Sequence, residues 1–164
     1  MHKILIGVMG PGEQATLDQI NMAYTLGYAL AQQGWIVLTG GRSAGVMDAA
    51  CRGAKAAGGL TVGILPTAEA IAISEAVDIP ILTGMGSARN NVNILTSQVV
   101  VACGLGAGTV SEIALALKAG KPVILMQVEP EVRDFFQQLS AKPIVLAETV
   151  AIAIEQIHRL LPAN

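Results

Sequence analysis

The chain has 164 residues, of which 13% are charged and 52% hydrophobic. That is enough for one domain with a substantial core, yet no apolar run approaches the ~20 residues of a membrane span. A formal net charge of −2, 3% aromatics and no basic stripe argue against a nucleic-acid surface.

The opening stretch MHKILIGVMG reads as a first strand over 3–9 rather than as a signal peptide, whose apolar region would be longer. Leu17, Ile20, Tyr24, Gly27 and Leu30 follow helical spacing, and Gly34 stops that helix. WIVLT (35–39) is a second strand. The Ala-rich segment 43–59 is a helix ending in two glycines. Strands follow over 60–66 and 77–82, with Pro80 placing the latter near a sheet edge. A helix over 87–98 leads to the β-branched strand 99–103. Val110, Ile113, Ala114 and Leu117 mark the next helix, closed by Gly120. A strand over 122–126, a helix over 131–140, a short strand over 143–147 and an amphipathic helix over 149–161 complete the chain.

Strand and helix alternate, and the strands are continuous apolar runs rather than alternating ones. Such strands belong in a parallel sheet covered on both faces. The expected fold is a single Rossmann-like domain over 1–164, α/β and doubly wound, with a mostly parallel sheet and helices on both faces. Ligands of such folds bind at the carboxyl ends of the strands. Low charge with abundant apolar residues predicts a homo-oligomer. Cys51, Cys103, His2 and His158 show no zinc spacing. The reading is of reduced, buried thiols in a cytoplasmic protein, with no metal ligated by the protein.

Three glycine-rich turns fall at the expected carboxyl edge: GVMGPGE (7–13), TGGRSAGVMD (39–48) and CGLGAGTVSE (103–112). Each leads into a helix, whose first N–H groups can meet an anion once no Cβ keeps it away. A fourth element, TGMGSARNN (83–91), supplies Arg89, and arginine is well matched to oxyanions. The candidate binding residues are Gly10, Pro11 and Gly12; Gly40, Gly41, Arg42 and Ser43; Thr83, Met85, Gly86, Ser87, Arg89 and Asn90; and Gly104, Gly106, Ala107, Gly108, Thr109 and Glu112. The first turn lacks the G-x-G-x-x-G spacing and no acidic residue ends the second strand, so NAD is disfavoured.

With GGRSAGVMDAACRGAKAAGG, GMGSARNNVNIL and GLGAGTVSEIALALKAGKPVIL, the chain resembles the SLOG superfamily. Within it the resemblance points to the molybdenum cofactor carriers, and it spans residues 4 to about 126. It implies a tetramer that binds, protects and delivers molybdenum cofactor, an anionic phosphate-bearing pterin, to molybdoenzyme acceptors without turning it over. With few aromatics to stack the pterin, Met85 or peptide planes would serve. The superfamily also contains the Lonely Guy hydrolases, which cleave the N-glycosidic bond of nucleoside 5′-monophosphates. Their arginine and glutamate fall on Arg89 and Glu112. Their P-G-G is Gly104-Leu105-Gly106 here, and the lysine after the arginine is Asn90. These departures favour a carrier.

Thr109-Val110-Ser111-Glu112 also has the pattern of a capping box, with Thr109 as N-cap and Glu112 at N3. A carboxylate tied into such a box is poorly placed to act on a sugar carbon. Capping is therefore the expected role of Glu112, and catalysis the alternative.

Overall fold

The computed structural model describes residues 3–162; His2 lies outside them. Seven strands form one sheet in the order β4-β3-β2-β1-β5-β6-β7, every neighbouring pair parallel. They are β1 (Leu5–Met9), β2 (Ile36–Thr39), β3 (Thr61–Leu65), β4 (Ile79–Leu82), β5 (Val99–Cys103), β6 (Val123–Met126) and β7 (Val145–Leu146). The helices are α1 (Leu17–Gln32), α2 (Gly45–Ala56), α3 (Asn90–Thr96), α4 (Ala107–Lys118), α5 (Pro130–Gln137) and α6 (Val150–Leu160). A turn of 3-10 helix, Gly86–Arg89, precedes α3 and splits the single helix expected over 87–98.

Side chains of alternate strand residues feed two cores. Ile6, Val8, Val37, Val99 and Val101 pack under α1, α2 and α6. Leu38, Val100, Ala102, Ile64 and Leu125 pack under α3, α4 and α5. Burial on both faces explains why these strands read as unbroken apolar runs. The exception is β4, whose four residues are all exposed. It is one of the two edge strands, as Pro80 suggested.

The periodicity of α1 misplaces its buried face. Leu17 is 70% exposed and Tyr24 is 38% exposed, whereas Ala23, Leu26, Gly27 and Leu30 are buried. The reason is that α1 packs on α2 by near contact of backbones rather than through large side chains. A Cβ on Gly27 would lie 2.0 Å from the Ala50 carbonyl oxygen, and one on Gly53 would lie 2.0 Å from the Tyr24 carbonyl oxygen. Thr16 and Gln19 close a true capping box at the start of this helix.

Asp78, just before β4, fixes that edge to the rest of the fold. It accepts from the Thr61 amide at 2.9 Å and from Lys55 Nζ on α2 at 2.6 Å.

Gly27→Ala forces α1 away from α2 and is expected to cost about 1–3 kcal/mol or more. At Gly108, inside α4, an added Cβ meets nothing within 4 Å. Gly108→Ala is therefore expected to leave stability unchanged or raise it by up to about 1 kcal/mol. Urea denaturation of the two variants measures both effects.

Candidate functional site

The winding of the sheet reverses at β1. From β1 the chain passes through α1 to β2 on one side, while β5, the other neighbour of β1, continues through α4 to β6. The loops after β1 and β5 therefore lead to opposite faces and leave a crevice between their carboxyl ends. A cavity of about 320 Å³ occupies it, at the lower end of the roughly 300–1,000 Å³ of small-molecule sites.

Most of the sequence-predicted residues meet here. Gly10, Pro11 and Gly12 line the cavity from the β1 loop, and Gly40 and Arg42 from the β2 loop. Arg89 comes from the turn before α3, and Asn90 is the first residue of that helix; Gly106, Ala107, Gly108, Thr109 and Glu112 come from the start of α4. Sequence reasoning missed Met9, Glu13, Gln14 and Met47, which complete the lining.

The other predicted residues lie elsewhere. Gly41 turns into packed interior, where a Cβ would lie 2.7 Å from Leu65 Cδ2. The start of α2 is correspondingly closed, because the Val46 amide donates to the Pro11 carbonyl at 3.0 Å. Ser43 lines a separate groove beside Tyr24 and Arg52. Gly104 faces the Gln19 side chain. The segment holding Thr83, Met85, Gly86 and Ser87 folds over the end of β3: the Thr83 hydroxyl donates to the Leu65 carbonyl and the Gly86 amide to that of Pro66. Met85 is exposed there, away from the cavity lining. No aromatic side chain is among the lining residues.

The capping reading of Glu112 is incorrect. Helix α4 starts three residues earlier than that reading requires, with Gly106 as its N-cap and no side-chain cap. Thr109 is then third in the helix and Glu112 sixth. The amides of Ala107, Gly108 and Thr109 have no carbonyl to meet within the helix, and Val110 makes its first regular bond, to Gly106. Thr109 and Glu112, three apart, share the buried face of α4.

Glu112 Oε1 instead accepts from Asn93 Nδ2 at 2.8 Å and lies 3.6 Å from Arg89 Nη1. Asn93 is wholly buried on α3, and the run of asparagines in an otherwise apolar helix was its sequence signal. Asn90, at the position of the hydrolase lysine, donates to the Ser111 hydroxyl at 2.9 Å.

Electrostatically the pair is poorly compensated. Burial pushes the Glu112 carboxyl above its usual range, against the hydrogen bond from Asn93 and the charge of Arg89. Burial also lowers the Arg89 guanidinium from its usual value; Glu112 opposes this shift and the like charge of Arg42 reinforces it. The Arg89 side chain is 11% exposed, and its buried Nε has no hydrogen-bond partner. A buried donor left unpaired costs about 1–3 kcal/mol, a cost that an oxyanion at the guanidinium would remove. Arg42 Nη2 donates to Glu13 Oε1 at 2.6 Å and joins the β1 and β2 loops at the cavity.

Among the described residues no cluster of histidine, cysteine and carboxylates suited to a metal is present, and no helix is long and apolar enough to cross a membrane. Cys51 and Cys103 are free and buried, and burial pushes their thiols up to about 11 and about 12.

A Rossmann-like parallel sheet with a glycine-walled cavity at its reversal point, holding a buried arginine and glutamate, defines the class. The chain belongs to the SLOG cluster4 family, whose model matches residues 3–154. It is similar to the molybdenum cofactor binding protein of Rippkaea orientalis, with 51% identity, a TM-score of 0.96 and coverage of 99% of each chain. It is similar also to the molybdenum cofactor carrier protein of Chlamydomonas reinhardtii, with 52% identity and a TM-score of 0.91, over 97% of this chain and 98% of that one. An uncharacterised protein of Archaeoglobus fulgidus is 42% identical over 123 residues, 75% of this chain and 80% of the other.

Gly40 backs directly onto the guanidinium: a Cβ there would lie 2.7 Å from both Arg89 Nη2 and Met47 Sδ. Both neighbours are ends of flexible side chains, so Gly40→Ala is expected to fold while displacing Arg89. Inorganic phosphate should bind it about tenfold more weakly than wild type, as expected for a damaged charge-assisted hydrogen bond. Calorimetric titration compares the two proteins.

Proposed function

We propose that the protein binds, protects and delivers molybdenum cofactor, without turning it over. The observation that carries this reading is Arg89, a buried guanidinium with an unpaired Nε beside a glycine-walled cavity, in a chain about half identical to proteins named for binding that cofactor. The residues suit the anionic end of such a ligand. Arg89 supplies a charged fork, and the first amides of α4 supply oriented donors. Gly108 leaves open space at the wall. The cofactor brings its own dithiolene ligands to molybdenum, so the protein need supply none. Met9 and Met47 and the peptide planes of the glycine turns serve as its apolar contacts. Free buried cysteines support action in the cytoplasm, where molybdoenzymes would be the acceptors.

A second reading, hydrolysis of a nucleoside 5′-monophosphate, is favoured by one observation: Arg89 and Glu112 line the same cavity. Against it, Glu112 is buried and engaged by Asn93 and Arg89, and the neighbouring lysine is replaced by Asn90. Two incubations separate the readings. The carrier retains molybdenum through gel filtration and leaves AMP intact, and Arg89→Ala weakens retention at least about tenfold. Release of ribose 5-phosphate from AMP, lost in a folded Glu112→Gln variant, would establish the hydrolase instead.

The protein acts as a homo-oligomer, a tetramer assembled as a dimer of dimers. Strand β4 is an unpaired edge, with Ile79, Ile81 and Leu82 each more than 40% exposed. Ile79 and Ile81 stand beside Val62 and Ile64 and so extend the apolar face that α3 covers further in. A second copy would cover this surface. Light scattering should give a mass near four times 16.9 kDa, and Ile81→Lys should reduce it. A wild-type monomer at micromolar concentration would refute the assembly.

A further inference from the structure

Glu112 is a carboxylate in the wall of a cavity otherwise suited to an anion. An oxyanion drawn to Arg89 and to the first amides of α4 would lie close to it. Two negative groups held side by side repel. The repulsion becomes a hydrogen bond when one proton stands between them.

The geometry leaves room for that bond. Asn93 donates to Oε1, and Arg89 Nη1 also approaches Oε1. Among the described residues no hydrogen bond reaches Oε2. The charged groups turned toward the cavity from the surrounding elements are Arg89, before α3, and Glu13 and Arg42, from the β1 and β2 loops. Glu13 is exposed and already held by Arg42. Helix α3 and strand β6 contain no ionisable side chain, and the one on β5, the Cys103 thiol, packs into the core on the opposite face of the sheet. Glu112 is therefore the group positioned to read a proton on the ligand.

We propose that Glu112 is the specificity-determining residue of this anion site, selecting a tetrahedral oxyanion that carries a proton over one of equal charge that carries none. The inference rests on the reading of the cavity as the seat of the cofactor's anionic end, whose phosphate monoester would be held as its protonated monoanion. An oxyanion with its own proton donates it to Oε2. One without a proton binds only with Glu112 protonated from solvent, so its affinity falls as pH rises. Burial already raises the carboxyl's proton affinity, the direction that favours that uptake.

Inorganic phosphate and sulfate are matched probes: both are tetrahedral dianions at about pH 8, but only phosphate retains a proton there. Titration calorimetry of the wild type should show phosphate binding at least about tenfold tighter than sulfate at about pH 8. Sulfate affinity should rise as pH is lowered, with one proton taken up per sulfate in buffers of different ionisation enthalpy. In Glu112→Gln, whose amide can both donate and accept, the two anions should bind alike and sulfate should lose its pH dependence. Equal affinities in the wild type, discrimination that survives in the variant, or failure of both anions to bind would overturn the proposal. If the variant does not fold, the proton count for wild-type sulfate binding decides alone. Molybdenum retention by the same wild-type preparation keeps the two readings distinct. Retention without discrimination refutes only this inference; discrimination without retention refutes only the carrier.

Discussion

Everything at the site depends on the position of β1 in the middle of a parallel sheet, paired to β2 on one side and β5 on the other. A parallel neighbour needs a crossover, and crossovers of one hand place α1 and α4 on opposite faces. The loops leaving β1 and β5 must then diverge. Glycine lets these loops diverge without filling the space between them. At Gly10 a side chain would run into the Cys103 carbonyl and Val46, so the β1 loop lies against both the end of β5 and α2. The cavity is thus a product of topology, and its walls are backbone before they are side chains.

Within that frame the chemistry is concentrated in one poorly matched pair. Glu112 is buried and Arg89 nearly so, yet 3.6 Å separates their nearest atoms, and the arginine keeps an unpaired Nε. Buried ion pairs offset their desolvation only when geometry is good and the remaining donors and acceptors are filled. This one leaves part of that offset to a ligand. Asn93 secures the carboxylate from α3, so the site is held from three directions: the turn before α3, α3 itself and α4.

The order of strands and helices was legible in the sequence because burial on both faces writes each strand as an apolar run and each helix as a stretch between glycines. The cavity was legible too, since glycine-rich turns at the carboxyl ends of three strands have few other reasons to recur. The errors came where one pattern has two physical causes. Thr109-x-x-Glu112 satisfies the spacing of a capping box, but the same spacing puts two residues on one buried helical face, and Gly106 sets the helix start earlier. In α1 the large residues Leu17 and Tyr24 drew attention, while the contact is made by glycine and alanine. Gly41 shows the limit of reading glycines as anion sites: its turn meets Leu65 and Gly63, not solvent.

The sulfur atoms in the cavity wall have a chemical meaning of their own. The lining residues bring two thioethers, from Met9 and Met47, and no thiol. Cys103 ends β5 close by, but its side chain packs into the opposite core, and Cys51 sits against Thr39. A thioether cannot attack a disulfide or form one. A cargo that carries reactive sulfur would therefore rest against polarisable but inert partners, with no route to a mixed disulfide and no need for a reductant to set it free.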